Sequence, residues 1–373
     1  MSLPRWLPDD RALNAALLVV LSLVIALYAG RARQLTAVSA PPAAIIATAP
    51  ALAAAPTGVV QDSAQPAPAA IPAAAPTVPP ANPGVAASPD ALANAAFAQA
   101  PALAADPPTQ VVAPPSDGPL LPNYRVVTFY GHPHDPNMGI VGEYSMDEIA
   151  QKVKVEAANY AAADPTRPVV PAFELIATVA QRVPGVDGTY ILDTDRDTLN
   201  SYIDYAAQNG MLVVLDLQVG RGTVADEIEK VRDLLAKPNV HLAIDPEFAV
   251  AEGQVPGEYI GSIPAESITY AQQVLAEISA SNNIPPKLLI VHQFREDMIQ
   301  GKETLAPYPG VQLVIDSDGY GAPELKTAVY NFIVRDAPIE YAGVKVFYKQ
   351  DVPLMSPQDL LALVPAPDVI IYQ

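Results

Sequence analysis

The sequence predicts an α/β fold, a (β/α)8 TIM barrel, preceded by one transmembrane helix and a disordered Pro/Ala-rich linker. Three observations predict the barrel. Eight short β-branched runs recur at 125–131, 168–179, 211–218, 240–247, 287–294, 311–318, 344–349 and 369–373, and most end in a polar or charged residue. Most gaps between them read as amphipathic helices, and eight strands alternating with helices is the arithmetic of that fold. Residues 123–373 have ordinary globular composition and a length of about 250, the usual barrel size.

Helix starts support the alternation in chain order. Ser145-Met146-Asp147-Glu148 is a capping box before a helix reaching about Ala163. A helical stretch follows at 197–209, and Thr223-Val224-Ala225-Asp226 opens another to Lys237. Further stretches are 265–281 and 323–335, with a shorter helical signal at 296–305. Ser356-Pro357 supplies a cap and a first-turn proline before 358–363. No eighth helix follows the last strand, so another element is expected to cover the barrel bottom beside it. An open doubly wound sheet is the competing fold. However, no glycine-rich dinucleotide fingerprint follows the first strand, where the loop is Gly131-His132-Pro133-His134.

The chain divides into a membrane anchor (1–33), a linker (34–122) and the barrel (123–373). Residues 12–30 carry no charge, just long enough for a bilayer-spanning helix. Arg31 and Arg33 stand where a signal-peptide cleavage site belongs, which favours an uncleaved anchor. The two flanks carry two arginines each, so charge does not set the orientation. A signal-anchor position and a Pro-rich stalk fit an extracytoplasmic barrel. The linker holds 19 prolines and no Lys, Arg or Glu, a composition that favours stiff extended segments over a packed core. The barrel has 17 basic and 34 acidic side chains, which argues against nucleic acid and anionic lipid as partners. With no cysteine, disulfides, thiolate metal sites and cysteine nucleophiles are excluded.

Barrel chemistry sits at the C-terminal ends of the strands, so the strand ends nominate the site. Asp245-Pro246-Glu247 closes the fourth strand. Residues i and i+2 share a face, so both carboxylates can point into the mouth. Two carboxylates this close raise one pKa, which suits a general acid. Asp216 and Gln218 end strand three, His292 and Gln293 end strand five, and Asp316-Ser317-Asp318 ends strand six. Such a mouth is either an acid/base site or a cation site. The simpler alternative is an Asp/Glu pair bound by neighbouring strand-end groups or by solvent.

The Asp-x-Glu end of strand four resembles glycoside hydrolase barrels, in particular family-18 chitinases and family-25 lysozymes. The resemblance implies Glu247 as proton donor and Asp245 as its helper, orienting a substrate acetamido group. It covers three residues and a fold position. The longer chitinase pattern has an Asp where this chain has Ala243, and where the large retaining-glycosidase clan has a strand-seven nucleophile glutamate this chain offers Tyr348, Lys349 and the later Asp351. Asp316 is then the second carboxylate, with Asp216 in support. Tyr130, His132, Gln218, His292, Gln293 and Tyr348 are the expected substrate contacts. The only tryptophan is Trp6, so sugar stacking falls to Tyr130, Phe294, Tyr320 and Tyr348. Over the whole domain, FYGHP, DPEF, VHQF and FYK resemble exported bacterial barrel proteins of no assigned activity.

His132, His134 and His292 also resemble the ligand set of metal-dependent amidohydrolase barrels, but the strand-six histidine and strand-eight aspartate of that family are missing. His241 lies inside strand four and reads as structural. Asp193-Thr194-Asp195-Arg196-Asp197 begins like a calcium loop, but Thr198 stands where its glycine is required, so it reads as an acidic helix start. Lys345 and Lys349 raise a Schiff-base option. The leading expectation is an envelope-tethered, glycoside-hydrolase-like barrel acting on a cell-wall or extracellular polysaccharide, with no cofactor and no metal. The alternatives are the metal-dependent hydrolase and a non-catalytic carbohydrate- or wall-binding barrel.

Overall fold

The computed structural model describes residues 110–373. The expected membrane helix and most of the linker lie outside the described residues. Among the described residues no helix is long and apolar enough to cross a membrane.

Eight parallel strands form the barrel: β1 (Arg125–His132), β2 (Val169–Ala180), β3 (Leu212–Gln218), β4 (Val240–Asp245), β5 (Lys287–Gln293), β6 (Val311–Ser317), β7 (Tyr341–Val346) and β8 (Val369–Tyr372). Each pairs with the next, and β8 pairs with β1, so the sheet closes. Followed around the ring, the register advances by eight residues per circuit, the stagger of a TIM barrel. Six helices lie among the connections: α1 (Met146–Ala163), α2 (Arg196–Gln208), α3 (Val224–Leu235), α4 (Ala265–Asn282), α5 (Pro323–Tyr330) and α6 (Pro357–Leu361).

The expected caps form. Ser145 and Glu148 bond reciprocally at the start of α1, and Ser356 and Asp359 do the same at α6. Thr223 caps α3. Asp195 accepts the Thr198 amide, so the acidic run opens α2. Three boundaries differ from expectation. The 296–305 stretch is two short 3-10 turns around a two-residue strand. Asn331–Arg335 continues α5 as a wider π turn. The seventh strand starts three residues early, because Gly343 pairs with Asp316 and the chain leaves the sheet after Val346.

Strand alternation explains the interior. Inward positions near the bottom are apolar, among them Val126, Val170, Leu212, Leu288, Val314 and Val369. Outward positions pack against the helices in a second apolar layer. The bottom is closed by residues 110–124, most of which were read as linker. Val111 bridges Val169, and Leu120 and Leu121 are buried in the interior cluster. Their amides donate to Gln312 Oε1 at 2.9 and 3.2 Å, and Gln312 Nε2 returns to Leu121 O. This segment covers the barrel bottom, as expected of an element other than the barrel helices.

Lys287 sits at the same end, fully buried, its Nζ donating to Lys237 O at 2.6 Å and Val240 O at 2.8 Å. Burial with no carboxylate in range pushes it down to about 7. Two N–H donors facing two carbonyls suit the neutral amine. The folded pKa lies below the unfolded value near 10.4, so between the two the unfolded chain holds one more proton. Stability therefore rises with pH across that window. We expect the wild type to gain up to about 1.4 kcal/mol per pH unit relative to Lys287→Met. Urea titrations of both proteins at pH 7.5 and 9 check this, and identical pH slopes would exclude it.

Candidate active site

At the C-terminal end of the strands a cavity of about 590 Å³ opens, with Tyr130, Gln218, Asp245, Glu247, Asp318 and Lys345 among its lining. Phe248, Phe294, Tyr320 and Phe347 supply aromatic walls. The residues converge because alternation puts Asp216 and Gln218 on the face of Val214, His292 on that of Ile290, and Asp316 and Asp318 on that of Val314.

Asp245 ends β4 and is buried. The chain does not continue extended to Glu247, as the shared-face argument assumed. Pro246–Phe248 forms a 3-10 turn, and Asp245 Oδ1 caps it by accepting the Glu247 amide at 3.0 Å. The turn still delivers both carboxyls to the cavity. Burial pushes Asp245 well above the usual carboxylate range, and Asp216, Glu247 and Asp318 push the same way. Burial and then Asp318 raise Glu247.

The turn depends on Gly261. Its amide donates to Glu247 O at 2.6 Å, and a Cβ there would lie 2.4 Å from Ala249 O and 2.6 Å from Pro246 O. Both obstacles are backbone, so Gly261→Ala must displace the turn. We expect a loss of about 1–3 kcal/mol, read from a urea midpoint. An unchanged midpoint would show that the turn yields freely.

Below the cavity lies a buried ionic cluster. His292, from β5, is fully buried. Its Nδ1 is 3.0 Å from Asp316 Oδ2 and 3.6 Å from Asp318 Oδ2. Its Nε2 is 3.0 Å from Glu174 Oε1 and 3.9 Å from Asp216 Oδ1. Burial and nearby Lys345 oppose its positive charge. The hydrogen bonds to Asp316 and Glu174 outweigh them and hold its pKa well above the ordinary value. Burial raises Glu174, Asp216 and Asp316, with His292 opposing in each case. Lys345, from β7, lies 3.2 Å from Asp318 Oδ2 and 3.8 Å over the Tyr130 ring. Burial disfavours its charge, but Asp318, Asp245, Asp316 and Glu174 together raise its pKa. It is a fixed ammonium rather than a nucleophile. Tyr130 donates to Asp216 Oδ2 at 3.0 Å, and burial followed by that carboxylate keeps it protonated.

The expected site residues thus fall into three groups. Tyr130, Gln218, Asp245 and Glu247 line the cavity, and Asp216, Asp316 and His292 form the buried cluster beneath it. Gln293, His132 and Tyr348 stand outside the lining. Gln293 is buried, its amide donating to Arg295 O and its Oε1 accepting from Lys302. His132 is carried off by the hairpin of β1 with Asp135–Gly139, its Nε2 3.1 Å from Thr194 Oγ1. Tyr348 lies past the end of β7 and stacks on Tyr372 at 5.1 Å. His134 meets Thr198 Oγ1 at 2.9 Å, so neither loop histidine joins His292. Among the described residues, the trio able to share one cation is His292, Asp316 and Asp318, with donor atoms within 4.8 Å of one another. Lys345 already lies against that trio. His241 accepts the Leu288 amide on Nδ1, in keeping with a structural role. Glu174 was missed, although it is the one charged residue in β2.

No family model and no curated protein matches the chain. Among matching solved structures is a GH26-CBM35 β-(1,4)-mannanase of Podospora anserina, at 11% identity and TM-score 0.33. That match covers 72% of this chain but only 64% of the mannanase. Two mannanases of Bacillus subtilis match at 12% identity with TM-scores of 0.34 and 0.36. Each match covers 67% of this chain, and 80% and 79% of theirs.

Proposed function

We propose that the barrel is a glycosidase acting on a cell-wall or extracellular polysaccharide by carboxylate acid catalysis, held at the membrane by its N-terminal segment with the barrel on the extracytoplasmic side. The observation that carries this reading is the pair Asp245 and Glu247 in one aromatic-walled cavity, both with raised pKa values. An acid poised above its ordinary range holds the proton that a leaving glycosidic oxygen needs. Glu247 makes that transfer, and Asp245 positions it by capping its turn. Asp318 lines the same cavity and is paired with Lys345. It therefore takes the stabilising role, while Asp316, expected as the second carboxylate, is kept below the cavity by its His292 bond. Aromatic faces at Phe248, Phe294 and Tyr320 suit sugar rings.

The test is release of reducing ends from peptidoglycan and a panel of polysaccharides by the full chain, with metal content measured on the same sample. Release without bound metal supports the reading. Binding without release from every substrate points instead to a wall-binding barrel.

A further inference from the structure

The cavity and the cluster beneath it carry more acidic than basic groups. Asp245, Glu247 and Asp318 line the cavity, and Glu174, Asp216 and Asp316 lie fully buried below. The cationic side chains facing them are Lys345 and His292, and both are already engaged. Two further lysines nearby are committed elsewhere. Lys326 is held by Asp351 at 3.0 Å, and Lys302 by Gln293 and Ile333 O.

The mismatch is visible atom by atom. Asp318 Oδ1, Asp216 Oδ1, Asp316 Oδ1 and Glu174 Oε2 are buried without a hydrogen-bond partner. Asp318 matters most, because its carboxylate is 6% exposed and yet borders the cavity. Glu247 has no hydrogen bond or ion pair from its carboxylate among the described residues. Buried polar atoms are ordinarily satisfied, and a cleft lined by one sign of charge focuses its field on the ligand.

We infer that the glycan entering this cavity carries free amino groups, so that a sugar ammonium meets the Asp318 side of the cavity. The inference rests on the glycosidase reading for the sugar part of the ligand. A hexosamine ring presents an apolar face to Phe294 and Tyr320, and its ammonium brings positive charge to a wall rich in carboxyls. An N-acetylated sugar offers one amide N–H and no charge. A uronate adds negative charge to a site that already has an excess.

Calorimetric titration of the full chain with glucosamine tetramer, N-acetylglucosamine tetramer and galacturonate trimer tests this. The amine tetramer is expected to bind at least about tenfold tighter than the acetylated one, and more weakly as salt rises. Asp318→Asn should remove most of the preference, with Asp318→Ser as the second variant if Asp318→Asn fails to fold. Equal or tighter binding of the acetylated or acidic oligomer overturns the inference. So does about one divalent cation per chain after purification, since the charge would already be matched. Cleavage of neutral glycans without amine preference would sink the inference and leave the glycosidase reading standing. Amine-selective binding without any cleavage would do the reverse.

Discussion

His292→Leu is expected to cost about 3–5 kcal/mol of folding free energy, the usual loss when a buried ion pair is broken from one side. The imidazole bridges Glu174 and Asp316 at 3.0 Å on either nitrogen, with Asp216 and Asp318 in its second ring of neighbours. Leucine fills similar space but leaves four carboxyls without that cation. They must then take up protons or repel one another in a low-dielectric interior. The folded pKa of His292 is raised, so its stabilising contribution is complete below the unfolded value near 6.5 and is lost as pH rises through the folded value. PH 6 is therefore the condition for the comparison. A urea midpoint for the variant implying less than about 1 kcal/mol of loss would show that the cluster does not depend on this charge.

Glu247→Gln should lower the rate of glycan cleavage by roughly 10²–10⁴-fold, the range for loss of a general acid. Glutamine keeps the shape of the turn and its amide bond to Asp245, so binding should change far less than turnover. The pH profile adds a finer reading. Burial raises the Glu247 pKa first and Asp318 raises it next. An acid must be protonated to act, so the alkaline limb of the rate profile reports this group. Asp318→Asn removes the second contribution and should move that limb to lower pH. A limb that stays in place would assign the acid role to another group.

The barrel was legible because the strands are β-branched runs and several helices have a readable start, as at Ser145 and Thr223. Asp216, Asp245, Glu247, His292 and Asp316 could be placed at this end of the barrel because these polar residues terminate apolar runs. Glu174 escaped the same logic because β2 runs on past it through Leu175 and Ile176, and no strand end marks it. The seventh strand was misplaced because apolar alternation persists through Phe347 and Tyr348. Its register is decided by backbone pairing of Gly343 with Asp316, which no local pattern encodes. His132 and His134 have ligand-like spacing, but the hairpin after β1 turns them toward Thr194 and Thr198. Spacing alone does not carry direction.

The plug formed by residues 110–124 bears on how this molecule can be attached to anything. The chain joins the barrel at the floor, while Gln373 borders the opening at the far side. A bead, surface or fluorescent partner coupled ahead of Gln110 leaves the opening unobstructed, whereas one appended after Gln373 begins at its rim. We expect glycan capture by a surface-immobilised sample to persist with the first geometry and to fall with the second. Equal capture from both would mean that the rim tolerates a bulky neighbour.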